Sequence, residues 1–361
     1  MTARGIGHLA LNTELFFRRR VVARRAGGRR ELILLVTGEP ANQPLLDMWS
    51  RTTRVLRAPF LNRLMHATQP LWKTSPFFDP MEMWSNEYDE FQAAPPTLSF
   101  TEEEEARGQR ELRQMGIRPG VDWFVCVFAR DANYMSSVYG PQDWSYHNFR
   151  DADIRTFGPA VAAILARGGV VVRMGSHATT PLPGVSDRAI DYAMSPFRND
   201  FLDIYLVSHC RCFIGSMSGI DAIATIFDRP RLAVNTVPFA HAPWGKDSVF
   251  IPKLLRSTAT GETYTIGHLL QAFKDRFDPK LWNGIAAAAE GYEYIDNTPE
   301  EIHAATIELL ERVDGRFVPS DDDTALQREY FALMPADHWS ARVRTPVGAA
   351  FLRAHRDLLV L

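Results

Sequence analysis

From Trp123 onward the chain alternates short apolar runs with helical stretches, and nothing else in the sequence restricts its fold as strongly. The apolar runs are Trp123–Phe128, Val170–Met174, Cys210–Ile214 and Arg231–Asn235. Helical patterns lie between them at 156–167, 199–209 and 219–228. Strands separated by helices in this way make βαβ units, and βαβ units make a parallel sheet. The predicted class is α/β.

Upstream, the pattern predicts a helix over 8–26, a buried strand over Glu31–Thr37, short helical pieces around 43–56 and 60–67, and a polar helix over Glu102–Met115. Gly116 and Pro119-Gly120 end that last helix, which sets a domain boundary there. At 361 residues the chain exceeds what one hydrophobic core usually supports. The expected division is an N-terminal domain over 1–117, a C-terminal domain over 118–318, and a helical, basic tail over 319–361 that returns to the first domain. Thr298-Pro299-Glu300-Glu301 has the spacing of a capping box and predicts a helix running to about Val313. Val318–Thr324 reads as an acidic linker.

The composition, 46% hydrophobic and 23% charged with a net charge of −3, is that of a soluble globular protein with no general attraction to nucleic acid. The three cysteines, Cys126, Cys210 and Cys212, lie in apolar runs and predict buried thiols in a reducing, cytoplasmic setting. No run of about 18 apolar residues is present to span a membrane. Arg18, Arg19, Arg20, Arg24, Arg25, Arg29 and Arg30 crowd the start of the chain beside Leu15, Phe16 and Phe17. That cluster reads either as a solvated helix face or as a contact to a membrane surface or an anionic acceptor.

Ligands of open parallel sheets bind at the carboxyl ends of the strands. The rule selects Ala129–Tyr134, Gly175–His177, Gly215–Gly219 and Thr236–Phe239. In the third of these, an apolar strand passes through Gly215-Ser216-Met217-Ser218-Gly219 into a helical pattern. Unpaired amides at such a turn, with the helix dipole, form a seat for a phosphate. Ser218 and Asp221 have capping-box spacing, so their side chains are expected to cap while the backbone binds. Arg130 and Arg173 stand at two other strand ends, the latter followed by Gly175, and an arginine fork suits a diphosphate. The alternative is that each arginine pairs with a carboxylate or a helix end. His8, in Gly5-Ile6-Gly7-His8, is the candidate general base, with Asp131 as its rival or as the group that orients Arg130. Asp151-Ala152-Asp153 has the form of a metal-binding DxD, but it precedes a helical run, where acids cap. No metal is expected.

As a set, Gly5–Glu14, Tyr146–Ile154, Val171–Gly175, Asp200–Gly219 and Phe250–Lys253 resemble a family of bacterial glycosyltransferases often found with surface-polysaccharide genes. Phe128-Ala129-Arg130-Asp131 with Phe213–Gly219 is more distantly similar to the donor half of fucosyltransferase-type GT-B enzymes. The resemblance implies a GT-B-like fold of two Rossmann-type domains facing a cleft, with a nucleotide-sugar donor on the C-terminal domain and no divalent metal. It further implies that Arg130 and the Gly215–Gly219 turn hold the phosphates, that His8 faces the acceptor, and that the acceptor is a glycan or lipid-linked. In such enzymes a strand leads into the glycine loop, whereas only Met1–Arg4 precede Gly5 here. The first strand is therefore upstream or absent, and His8 depends on it. Two other readings are a nucleotide-sugar epimerase of the same fold and a non-catalytic nucleotide- or glycan-binding module of polysaccharide assembly.

Overall fold

The computed structural model describes residues 4–25, 33–36, 38–75, 78, 81, 87–132, 136–137 and 140–361. Of the expectations above, Arg29, Arg30, the ends of the Glu31–Thr37 strand, Asn133 and Tyr134 lie outside the described residues, as do the side chains of Arg24 and Arg25.

In chain order the first half holds α1 (Thr13–Arg25), β1 (Ile33–Val36), α2 (Gln43–Thr52), β2 (Arg54–Arg57), α3 (Asn62–Ala67), α4 (Gln69–Trp72), α5 (Glu87–Ala93) and α6 (Glu102–Gln114). Then follow β3 (Phe124–Phe128), α7 (Gly158–Ala166), β4 (Val170–Arg173), β5 (Ala189–Ile190), α8 (Asp200–His209), β6 (Cys212–Gly215), α9 (Asp221–Ile226), β7 (Arg231–Thr236) and β8 (Val249–Pro252). The chain continues through β9 (Leu254–Ser257), α10 (Ile266–Ala272), α11 (Gly284–Ala289), β10 (Tyr292–Ile295), α12 (Pro299–Val313), α13 (Asp321–Leu333) and α14 (Ala349–Ala354).

Contacts divide these elements into two units. The first comprises Met1–Arg110, Asn199–Ser208 and Ser218–Asp228; the second comprises Glu111–Arg198, His209–Met217 and Arg229–Leu361. A boundary read along the sequence does not show this grouping, because α8 and α9 bury their apolar sides with N-terminal residues. Phe100 stacks on Phe227 at 5.5 Å and meets Tyr205 edge-on at 5.3 Å, while Arg107 lies 4.1 Å over Phe201.

In the first unit, β1 and β2 pair in parallel, Ile33 opposite Arg54. Residues 54–56 were expected to be helical; Thr53 instead ends α2 in an extended conformation, and the chain pairs with a strand well before it in sequence. Phe17 stacks on Trp49 at 5.2 Å, and the Trp49 indole donates to the Leu9 carbonyl at 3.2 Å. Arg18 corrects the basic-face expectation. It is 1% exposed, pairs with Glu14 at 2.7 Å and Asp228 at 3.2 Å, and donates to the carbonyls of Phe91 and Ala94. Arg19 is likewise engaged, with Glu90 at 3.5 Å. These arginines hold the unit together and do not form a free basic face.

The second unit is built on a six-stranded, wholly parallel sheet in the order β5-β4-β3-β6-β7-β8. Val170-Val171-Val172 and Cys212-Phe213-Ile214 are fully buried, as strands covered on both faces must be. The three cysteines are buried free thiols, and burial pushes Cys126 and Cys212 well up. Thr298 and Glu301 complete the expected capping box at the start of α12. The tail docks within this second unit. The Ala349 amide donates to Glu308 of α12 at 2.7 Å, and His355 meets Glu301 at 2.6 Å. The acidic stretch expected to be a linker starts α13, because Ser320 and Asp323 form a second capping box.

Two histidines here, His241 and His338, are held neutral by burial, their pKa values pulled down to about 3 and about 4. A histidine with a depressed folded-state pKa contributes stability above its unfolded value near 6.5, and loses it as pH falls toward the folded value. Unfolding free energy is therefore expected to fall by a few kcal/mol between pH 6.5 and about 4, each histidine contributing a slope of at most about 1.4 kcal/mol for every pH unit. Urea titrations across that range should show His241→Gln flattening the slope; an unchanged slope would contradict this account.

Candidate functional site

The strand order fixes where a ligand site is expected. From β3 the chain moves outward through β4 to β5, then returns to the other side of β3 and runs outward through β6, β7 and β8. The order reverses between β3 and β6, and crevices at the carboxyl ends of strands open at such a switch point. Arg130 follows β3 and Ser216 follows β6; the Arg130 amide donates to Ser216 Oγ at 2.9 Å. The Ser216 amide donates to the Phe128 carbonyl at 3.2 Å, so the two strand ends are stitched together. Gly215 permits this closeness, since a Cβ there would stand 2.6 Å from the Phe128 carbonyl oxygen.

Beside this junction lies a cavity of about 480 Å³ within the second unit, walled by Arg130, Asp151, Arg173, Lys253, Tyr294 and Asp296 among others. Three of its cations are nearly buried: Arg130 is 6% exposed, Arg173 2% and Lys253 3%. Buried cations persist only with partners, and each has one. Arg130 Nη1 donates to the Asp151 carboxylate and to the His147 carbonyl at 3.2 Å. Lys253 Nζ reaches the Asp151 carbonyl at 2.9 Å and Asp296 at 2.6 Å. Arg173 Nη1 meets Asp191 at 3.1 Å, and its buried Nε has no hydrogen-bond partner. Arg130 makes no hydrogen bond through Nε or Nη2 to a described residue, so much of its fork keeps donor capacity at the cavity wall.

The surrounding groups are tuned by the same burial. Burial raises Asp151 despite the opposing pull of Arg130 and Lys253. It lowers Arg150 to about 10 and His147 to about 4, the neighbouring arginines adding to both effects. Tyr294, its hydroxyl pushed up by burial, stands 5.4 Å from the Phe149 ring and gives the cavity an aromatic side. A larger cavity, about 830 Å³, opens along β5 beside Met194 and Phe197, but no Lys, Arg or His lines it.

Arg130, Asp131 and Arg173 share the cavity wall. Asp131 accepts from the Thr179 amide and hydroxyl at 3.3 and 3.1 Å, while Asp151 is the carboxylate that orients Arg130. Gly175 follows β4 with φ +143°, a conformation glycine favours. Gly215 and Ser216 belong to the second unit, Ser218 and Gly219 to the first. Ser218 does not cap α9 through its side chain: Ile220 holds the N-cap position, and the Asp221 amide bonds the Ser218 carbonyl at 3.2 Å. Gly219 has to be small because a Cβ there would stand 2.8 Å from Ile6 Cγ2 and 3.0 Å from the Gly7 amide nitrogen. His8 is exposed in a turn of π-helix, its Nδ1 3.4 Å from Asn12. Asp153 caps the turn at Ile154–Phe157, bonding the Arg155 amide at 2.9 Å, and no group of acidic, histidine or cysteine side chains among the described residues has metal-holding geometry.

Lys253, Tyr294 and Asp296 complete the cavity wall, and strand-end reasoning did not reach them. The signal for Lys253 was present: a cation directly after Val249-Phe250-Ile251-Pro252, as Arg130 stands two residues after the end of β3.

No family model matches the chain, and no curated protein is a significant match. Among solved structures, the ADP-heptose LPS heptosyltransferase II of E. coli aligns over 70% of this chain and 88% of its own, at 13% identity and a TM-score of 0.41. The family 9 glycosyl transferase of Veillonella parvula DSM 2008 aligns over 81% of this chain and 78% of its own, at 12% identity and 0.37. These likenesses are distant in sequence and in shape, and the chemistry of the cavity rests on its own residues.

Proposed function

We propose that the chain is a glycosyltransferase of GT-B type, taking the diphosphate of a nucleotide-sugar donor at the Arg130–Lys253 cavity and passing the sugar to a glycan or lipid-linked hydroxyl acceptor. The supporting observation is the placement of three nearly buried cations, two of them with unused donors, around a cavity at the switch point of a parallel sheet. Displacement at the anomeric carbon breaks the bond to the diphosphate, which leaves carrying the extra negative charge. Cations already fixed by Asp151, Asp191 and Asp296 would stabilise that charge with little reorganisation. The acceptor hydroxyl gives up its proton to a base; His8 is proposed for that role, being exposed and of the right chemical type, with Asp131 as the alternative. In this reading arginine and lysine do the neutralising that a divalent metal does elsewhere.

Purified protein incubated with GDP-, UDP-, dTDP-, CMP- and ADP-sugars and extracted acceptors should transfer one sugar equally well with and without EDTA. Strict metal dependence would overturn the metal-free mechanism. Conversion of the donor without acceptor would identify an epimerase instead, and tight binding without turnover a binding module.

A further inference from the structure

Between Asp47 and Asp79 the chain carries Arg51, Arg54, Arg57, Arg63 and Lys73 and no carboxylate. The same segment holds Leu56, Phe60, Leu64, Leu71 and Phe78, five of the fourteen large apolar side chains that stand exposed among the described residues. Phe60 and Leu71 are each 80% exposed. Scattered single apolar residues on a surface need no explanation, but a concentration of this kind does.

Local structure accounts for the exposure. Six-residue α3 and four-residue α4 are too short to bury a face by themselves. They are tied to each other, the Trp72 indole donating to the Met65 carbonyl at 3.1 Å and meeting the Phe78 ring edge-on at 4.7 Å. Arg51 and Arg57 pair with Glu104 and Glu39, whereas Arg54, Arg63 and Lys73 are exposed and form no ion pair with a described residue.

We infer that the surface formed by residues 54–73 docks on an anionic lipid bilayer, with Phe60, Leu64 and Leu71 entering the interface and Arg54, Arg63 and Lys73 on the headgroups. Apolar tips set among cations of one sign match a bilayer's own layering of anionic headgroups over hydrocarbon. No helix among the described residues is long and apolar enough to cross a membrane, so the contact is peripheral.

The test is co-sedimentation of the full chain with vesicles of phosphatidylglycerol and phosphatidylcholine, against phosphatidylcholine alone. The protein is expected to pellet with the anionic vesicles and to be released by salt. Joint replacement Phe60→Ser and Leu71→Ser should lower the partition coefficient about tenfold. Joint replacement of Arg54, Arg63 and Lys73 by glutamate should lower it about a hundredfold or more. The five positions replaced within 54–73 are exposed, and matching circular dichroism and melting curves check folding in every variant. No sedimentation with anionic vesicles overturns the inference. So does sedimentation that survives both sets of substitutions at 54–73. Nucleoside diphosphate affinity, which reports on the cavity, is a separate readout.

Discussion

Replacing Arg130 by lysine is expected to weaken nucleoside diphosphate binding by about a hundredfold while leaving the fold intact. A lysine keeps the charge and can still meet Asp151, but it loses the planar fork that engages two phosphate oxygens together. Each charge-assisted hydrogen bond contributes about 1.5–3 kcal/mol, so losing one of them removes roughly ten- to a hundredfold or slightly more in affinity. Isothermal titration measures the affinity, and a melting curve separates the binding loss from unfolding. Arg130→Ala should abolish binding, but it also strands Asp151, which burial already penalises, so part of its effect is on stability. Unchanged affinity in the lysine variant would remove Arg130 from the site.

The largest stability effect is expected from Arg18→Ala, which should cost about 3–5 kcal/mol at neutral pH. The substitution leaves Glu14 buried, with hydrogen bonds from Thr97 but no countercharge, and it orphans two backbone carbonyls. The sign of its pH dependence follows from Glu14, whose carboxyl is already held above its ordinary 4.5 by burial, against the pull of Thr97 and Arg18. A raised folded-state pKa favours the folded protein below the unfolded value and loses that contribution as pH rises. Removing Arg18 raises Glu14 further. The deficit should therefore be smallest below about pH 4 and grow toward neutrality, and Glu14→Gln in the same chain should recover part of it. Urea unfolding at several pH values checks this; a small, pH-independent deficit would return Arg18 to the surface.

The parallel sheet was legible because its strands are continuous apolar runs with helices between them, and the rule about strand ends then led directly to Arg130 and Arg173. Lys253 lies in one of the segments that carry the resemblance, but it was not reached as a strand-end cation, because β8 is three apolar residues and a proline, too short a run to stand out as a strand. The carboxylate that orients Arg130 was read as a helix-capping acid. Only the fold sets Asp151 against Arg130, the Ala152 amide returning to the Arg130 carbonyl at 3.2 Å. The small-residue turn was found by its composition, yet the reason for its last glycine, the close approach of Gly7, depends on chain segments far apart in sequence. Arg18 shows the same limit in another form. A run of arginines reads as a basic face from composition alone, and only packing shows that one of them is enclosed by Glu14, Asp228 and Phe91.

The central claim is that the cavity beside the β3–β6 junction holds a diphosphate. Titration calorimetry of the purified protein with GDP, UDP, dTDP and ADP, repeated with Lys253→Ala, tests it most directly. One nucleoside diphosphate is expected to bind at one-to-one stoichiometry, to be displaced by inorganic pyrophosphate, and to lose at least tenfold in affinity when Lys253 is removed. Failure of every diphosphate to bind at millimolar concentration, or binding indifferent to both Lys253 and pyrophosphate, would contradict it.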